Sequence, residues 1–204
     1  MHQVFSKQAG RHVVPTAAVH RIKQGRAQTP KRQQGLTLAE FSLVLAAGAV
    51  LIVIAVFVYQ GVQRRSQIND TVQSTIGIIA NLQATFGQSN RYAFATTVNA
   101  VGSSVIPKRL QDASGSSASD IYGGAITVAP STLTQAGDAA DLSLADIPLE
   151  QCVDIVNSTE AQARVLKVGA TVVKPKNGTL DSNALNSACI AAPRSVITWT
   201  IGRS

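Results

Sequence analysis

The chain has 204 residues, with 18 lysines and arginines, 11 aspartates and glutamates, and a formal net charge of +7. Such an excess would ordinarily suggest binding to nucleic acid or to a membrane surface, but all of it lies in residues 1–35, which hold seven basic side chains and no acid. Residues 36–204 hold eleven side chains of each sign and no histidine. Once residues 1–35 are set aside, charge no longer supports a nucleic-acid partner, and catalytic or metal sites that need histidine are excluded.

Residues 41–63 carry no charged side chain and are rich in leucine, valine, isoleucine and alanine. At 1.5 Å per residue they form a helix of roughly 34 Å, which is long enough to cross a bilayer. The run exceeds the apolar core of a secretory signal, and no small-residue cleavage site follows it, so we expect the helix to be retained. The basic residues before it outnumber the two directly after it, which predicts a cytoplasmic N-terminus and a C-terminal part across the membrane.

After residue 63 the apolar side chains follow one face of a helix at spacings of three and four. The members of this stripe are Ile68, Val72, Ile76, Ile79, Leu82 and Phe86. Residues 31–106 contain no proline, so the sequence predicts one helix of about 50 residues that ends at the polar cluster 87–90. Gly48 and Gly61 mark either close helix packing or tolerated weak points, and the sequence leaves both open.

The remaining residues predict an α+β domain, with a small antiparallel sheet packed on the amphipathic half of the long helix. The pattern indicates one helix over residues 148–163, with Cys152 facing inward, and Trp199 in the core. Strands are predicted at 125–128, 165–168, 171–174 and 195–201.

The two cysteines, Cys152 and Cys189, both follow the apolar run. In an exported domain a disulfide between them is the default expectation. The loop that it closes has about 38 residues, which corresponds to roughly 4 kcal/mol in the chain-entropy account. Two unlinked buried cysteines are the alternative.

No segment carries a phosphate-binding glycine loop, and we expect no catalytic residue, no metal and no cofactor. Asp138, Asp141 and Asp146 have oxygen ligands suited to Ca²⁺, but their spacing fits no calcium loop. We therefore expect these three carboxylates in a solvated loop.

The segment Gly35-Leu36-Thr37-Leu38-Ala39-Glu40-Phe41, together with the apolar run, resembles the class III leader and N-terminal helix of type IV pilins. In that family a prepilin peptidase cuts after the glycine and methylates the new N-terminus. The resemblance implies cleavage between Gly35 and Leu36 and methylation of Leu36, and it matches Glu40 to the family's near-invariant fifth residue.

The long leader and the leucine at the first mature position resemble the type IVb subgroup. The placement of Cys152 and Cys189 is similar to that of type IVb pilins of the thin, conjugation-associated kind. Many type IVa pilins kink their apolar helix at a proline, and this chain has none there.

The resemblance implies an assembly role for Glu40, with Thr37 and Phe41 beside it. A carboxylate inside an apolar environment is costly unless it has a charge partner. The α-amine of Leu36 on a neighbouring subunit is the obvious partner and would set the axial register. The alternative is a helix N-terminal acid favoured by the macrodipole, and both roles are compatible.

The sequence therefore predicts a cleaved leader (1–35), a transmembrane and assembly segment (36–63), an amphipathic half-helix (64–89) and a pilin domain (90–204). The predicted protein is not an enzyme. It is a type IVb pilus subunit that waits in the inner membrane, meets a prepilin peptidase and an assembly platform, and polymerises with itself for adhesion or mating contact. The alternatives are a minor pilin or pseudopilin of a secretion machine and, more remotely, a membrane-anchored periplasmic enzyme or receptor.

Overall fold

The computed structural model describes residues 37–88 and 91–202. The predicted leader, the cleavage position at Gly35 and the first mature residue Leu36 lie outside these residues. The chain divides into two compact units between Gly48 and Ala49. The domain boundaries at 63/64 and 89/90 stay predictions.

Helix α1 spans Leu38–Phe86, 49 residues in all. It ends where the sequence predicts, because Gly87 follows in a position that accepts no side chain. A Cβ on Gly87 would lie 2.4 Å from the carbonyl oxygen of Gln83 and 2.9 Å from the hydroxyl of Tyr92. The predicted long helix is therefore confirmed.

The second half of α1 buries one face against the rest of its unit. The buried side chains are Thr71, Val72, Thr75, Ile78, Ile79, Leu82 and Phe86. Ile68 and Ile76, which the predicted stripe includes, are only partly buried and flank this face. Ile78, which the predicted stripe does not include, is buried in the core. The buried face is broader than a single line of i, i+3 and i+4 positions.

A five-stranded antiparallel sheet forms the body of the domain, in the order β1-β2-β5-β3-β4. Its strands are β1 (Ile126–Thr132), β2 (Ala136–Pro148), β3 (Val165–Val168), β4 (Thr171–Lys174) and β5 (Arg194–Gly202). Four of them fall where the sequence predicts strands. The long strand β2, which pairs with both β1 and β5, was not predicted.

The expectation of a solvated loop for Asp138, Asp141 and Asp146 is wrong, because all three lie in β2. Alanine, glycine and aspartate are poor strand formers, so the residues of this segment, taken alone, predict a loop. Asp138 instead stabilises the β1–β2 turn, since its carboxylate accepts the backbone N–H groups of Leu133, Thr134 and Gln135 at 2.7–2.8 Å. Among the described residues no cluster of His, Cys, Asp or Glu is arranged to hold a metal ion.

Three shorter helices complete the domain: α2 (Thr97–Gly102), α3 (Leu149–Thr159) and α4 (Ser182–Ile190). Helix α3 begins directly after Pro148, which suits a helix start. Helix α4 was not predicted, although Asp181 caps it by accepting the N–H groups of Asn183 and Ala184. The side chain of Trp199 is fully buried, as predicted, and donates its indole N–H to the buried hydroxyl of Thr159 at 2.9 Å.

The edge strand β1 is largely closed by the chain itself, whereas the edge strand β4 has one backbone group paired. Along the free edge of β1, the N–H of Ile126 is donated to the carbonyl of Ala118 at 2.8 Å. The Thr97 hydroxyl both accepts the N–H of Val128 (2.9 Å) and donates to its carbonyl (3.2 Å), and Pro130 has no N–H to offer. At the other edge, the carbonyl of Val173 in β4 accepts the N–H of Asp181. The β1 edge therefore offers few free groups for pairing with another strand.

Candidate assembly site at the head of the apolar helix

Thr37 and Glu40 form a reciprocal cap at the start of α1. The Glu40 Oε2 atom accepts the backbone N–H of Thr37 at 2.9 Å and its hydroxyl at 3.0 Å. The Thr37 hydroxyl in turn accepts the backbone N–H of Glu40 at 3.3 Å. This is a capping box, in which two otherwise unpaired helix donors are satisfied by each other's side chains. The Thr-x-x-Glu spacing is the signal in the sequence from which this cap could have been predicted.

The capping box fixes the position of the single carboxylate at the head of the apolar run. Both hydrogen bonds to the Glu40 carboxylate use its Oε2 atom, and the described residues make none to Oε1 of this exposed residue. Phe41, the next residue, is 57% exposed. The structure thus brings Thr37 and Glu40 together, while Phe41 presents a large apolar side chain beside them.

The apolar run that follows is exposed along its length. Among the described residues α1 is the one helix long and apolar enough to cross a membrane, and none of its most apolar window is buried. Leu51, for example, is 67% exposed. A Cβ added at Gly48 or Gly61 would meet nothing within 4 Å, so packing within the described part of the chain does not require either glycine.

The second half of α1 is held to α3 by polar contacts that the sequence did not reveal. Arg64 forms an ion pair with Glu150 at the start of α3. Gln151, also in α3, contacts Gln67 at 3.4 Å and accepts the hydroxyl of Tyr122. Arg64 therefore has a partner within the chain. Residues far apart in sequence make these contacts, so no local pattern could have predicted them.

Cys152 in α3 and Cys189 in α4 form the predicted disulfide, with Cα atoms 5.9 Å apart. Both cysteines are fully buried. The bond links two helices on the same unit and fixes α4, a helix of nine residues, to the rest of the domain. A buried disulfide of this kind is typical of a domain that matures in an oxidising compartment.

The long capped helix, its exposed apolar half, the antiparallel sheet and the disulfide define a protein of the type IV pilin class. The fold is similar to the crystal structure of a type IVb pilin from Salmonella typhi, with a TM-score of 0.52, 16% sequence identity, and coverage of 66% of this chain and 99% of that one. A second similar structure is TcpA, a type IV pilin from Vibrio cholerae El Tor biotype, with a TM-score of 0.48, 13% identity, and coverage of 68% and 99%.

A family model described as PilS N terminal matches residues 65–202, which is more than half of the chain. The chain belongs to this family, and its fold is similar to that of a type IVb pilin. Members of the family are structural subunits rather than enzymes. No curated protein sequence matches the chain.

Proposed function

We propose that this chain is a prepilin that is cleaved between Gly35 and Leu36, methylated at Leu36, and polymerised into an extracellular type IVb pilus. One observation carries the proposal: the apolar half of α1 is exposed over more than twenty residues and begins with a single capped carboxylate. Exposed apolar surface of this extent requires lipid or another protein chain as its surroundings. A bilayer provides the first before assembly, and other copies of the helix provide the second in the filament.

The capping box supports a register role for Glu40 that survives cleavage. The N–H that Glu40 accepts belongs to the Leu36–Thr37 peptide bond, which the peptidase does not cut. The Oε1 atom remains available, and in a water-free filament core it needs a partner of opposite charge. We assign that role to the α-amine of Leu36 on a neighbouring subunit, which stays cationic when it carries one methyl group.

The closed edge of β1 supports assembly through helices rather than through strands added at that edge. Thr97 occupies both free backbone groups of Val128, and Pro130 blocks the next position. Strand addition needs a row of free N–H and C=O groups, and β1 does not offer one. The exposed apolar half of α1 is then the principal surface for self-association.

The proposed topology places the leader in the cytoplasm and the domain on the other side of the inner membrane. The excess of basic residues before the apolar run supports this orientation, and the disulfide supports an oxidising destination. Its partners are then a prepilin peptidase, the lipid bilayer, an assembly platform in the inner membrane and other copies of itself. Adhesion or conjugative mating contact is the role that the family resemblance favours for the finished fibre.

Mass spectrometry of the mature protein from cells tests the processing step. The expected N-terminal peptide begins at Leu36 and carries one methyl group, and Cys152 and Cys189 are joined. Purified filaments composed of this chain separate a pilus subunit from a pseudopilin. Mature protein that still begins at Met1 would rule out the proposed cleavage.

Three substitutions separate the charge of Glu40 from its capping role. Glu40→Ala removes both, Glu40→Gln retains a cap acceptor without charge, and Thr37→Ala keeps the carboxylate. We expect both Glu40 variants to be cleaved but to yield few or no filaments, whereas Thr37→Ala still assembles. Filaments of Glu40→Gln at wild-type levels would contradict the charge-pairing role.

A further inference from the structure

A small cavity lies between the buried face of α1 and the loop that precedes β1. Its lining includes Thr71, Thr75 and Ile78 from the helix and Asp120 from the loop, together with apolar side chains such as Leu144. About 10 Å³ of it is available to the centre of a water molecule. One water needs roughly 10–15 Å³ of volume occupied by the water itself, and a cavity with room for the centre of a water molecule meets that need.

Two of the residues that line this cavity each carry a buried polar atom that has no hydrogen-bond partner among the described residues. The two atoms are the hydroxyl oxygen of Thr75, whose side chain is fully buried, and the Oδ2 atom of Asp120. A buried polar group without a partner costs roughly 1–3 kcal/mol. Because both residues line the same small cavity, the two unpartnered atoms suggest one shared ligand.

We propose that this cavity is an internal water site, in which one water molecule bridges Thr75 and Asp120. The Thr75 hydroxyl donates to the water, and the water donates to Asp120 Oδ2. Thr71 provides a further acceptor, because its hydroxyl proton is already donated to Tyr122 at 3.3 Å. Three oxygen atoms suit a water, whereas Ca²⁺ requires six to eight.

The bridge would couple the loop to the helix through a residue that already organises the loop. The other carboxylate oxygen of Asp120, Oδ1, accepts the backbone N–H groups of Tyr122 at 2.9 Å and Gly124 at 2.8 Å. Gly124 cannot be replaced, because a Cβ there would lie 2.0 Å from the carbonyl oxygen of Ala145. Burial raises the pKa of Asp120 despite these two bonds, which is consistent with a carboxylate facing a confined space.

The sign of one stability change tests the proposal. In the purified full-length protein, Thr75→Val removes the hydroxyl and keeps the shape. If the hydroxyl holds a water, the substitution breaks the bridge, and we expect the unfolding equilibrium constant to rise about fivefold. If the hydroxyl is unpaired, replacing it with a methyl group lowers that constant, and this result would overturn the proposal. Thr75→Ser retains the hydroxyl, so it should raise the unfolding equilibrium constant by less than Thr75→Val does.

Thr198→Val is the matched control, because the Thr198 hydroxyl pairs directly with Ser143 at 2.9 Å. Magnetic relaxation dispersion of water oxygen then counts slowly exchanging internal waters in each protein. We expect one fewer slowly exchanging water in Thr75→Val than in the wild-type protein, and the wild-type number in Thr198→Val. If Thr75→Val does not fold, a high-resolution crystal structure of the wild-type protein decides: an ordered water bonded to both atoms supports the site, and an empty or apolar-filled cavity overturns it.

Discussion

The two halves of helix α1 carry similar apolar side chains in opposite surroundings. Leu51 is 67% exposed, whereas Leu82 is fully buried. The second half gains its stability from packing against its own domain, so its apolar residues serve folding. The first half has no such cover among the described residues, so we expect its apolar residues to serve contacts outside the chain. The same residue type therefore has a different physical role on each half of one helix, and substitutions separate the two roles.

The disulfide is expected to give the largest effect, and only in the covered region. Replacing Cys152 and Cys189 together with alanine should lower the free energy of unfolding of the domain by roughly 4 kcal/mol, since the bridge restricts a loop of about 38 residues in the unfolded chain. Fluorescence of Trp199, the single tryptophan, reports the unfolding in urea. Membrane insertion of the apolar half should not change. An unaltered urea midpoint would show that the bridge contributes little to the domain.

A matched pair of leucines tests the comparison directly. Leu82→Ala should destabilise the domain by about 3 kcal/mol, because it removes a fully buried side chain from a packed core. Leu51→Ala should leave domain stability almost unchanged, because nothing in the domain covers that residue. Urea unfolding of both variants in the same detergent gives the two values. Equal losses would mean that the two halves are not distinct in their roles.

A hydrogen bond inside the covered region gives a smaller effect. Thr159→Val removes the only described acceptor of the buried Trp199 indole N–H, and it should cost about 2 kcal/mol, the range for orphaning one buried donor. Thr159→Ser retains the hydroxyl and is the control. If valine and serine give the same urea midpoint, the indole N–H has found another acceptor.

The smallest effect concerns the turn between β1 and β2 and depends on pH. Three backbone N–H groups, from Leu133, Gln135 and Thr134, lower the pKa of Asp138, and Lys176 adds to this. Because the pKa of Asp138 is lowered in the folded state, its carboxylate stabilises the fold at pH values above the ordinary pKa of 3.8. This contribution is lost as the pH falls through the folded-state pKa.

Asp138→Asn should therefore unfold at a lower temperature than wild type at neutral pH, and the difference should shrink in acid. Thermal unfolding of both proteins, from neutral pH down through the folded-state pKa of Asp138, measures this difference. Asp112→Asn, in an exposed loop, is the control. A difference that stays constant with pH would mean that the carboxylate charge plays no part.

The sequence predicted the elements whose signals are local. The apolar run, the end of α1 before Gly87 and the strand around Trp199 follow from periodicity and turn residues alone. Strand β2 was missed because its partners, rather than its own residues, make it a strand: alanine and aspartate there pair with β1 and β5. Helix α4 was missed because its apolar pattern is weak and its main determinant is the cap at Asp181.

The candidate site was predicted in part. The Gly35 to Phe41 motif located Glu40, but not the hydrogen bonds that orient it, although the Thr-x-x-Glu spacing was present. The cleavage position at Gly35 and Leu36 lies outside the described residues and stays a prediction. The ion pair of Arg64 with Glu150 depends on where α3 packs, and a single sequence carries no information about such long-range contacts.

The way Thr97 and Pro130 close the outer strand has a consequence for the life of the protein before it is used. A subunit stored in a membrane, as proposed above, meets copies of itself constantly, and an open β edge would let those encounters end in irreversible amyloid-like stacking. With β1 closed, collisions between the folded domains lose one route to aggregation. We therefore expect the pool of waiting subunits to tolerate crowding better than it would with an open strand at this edge.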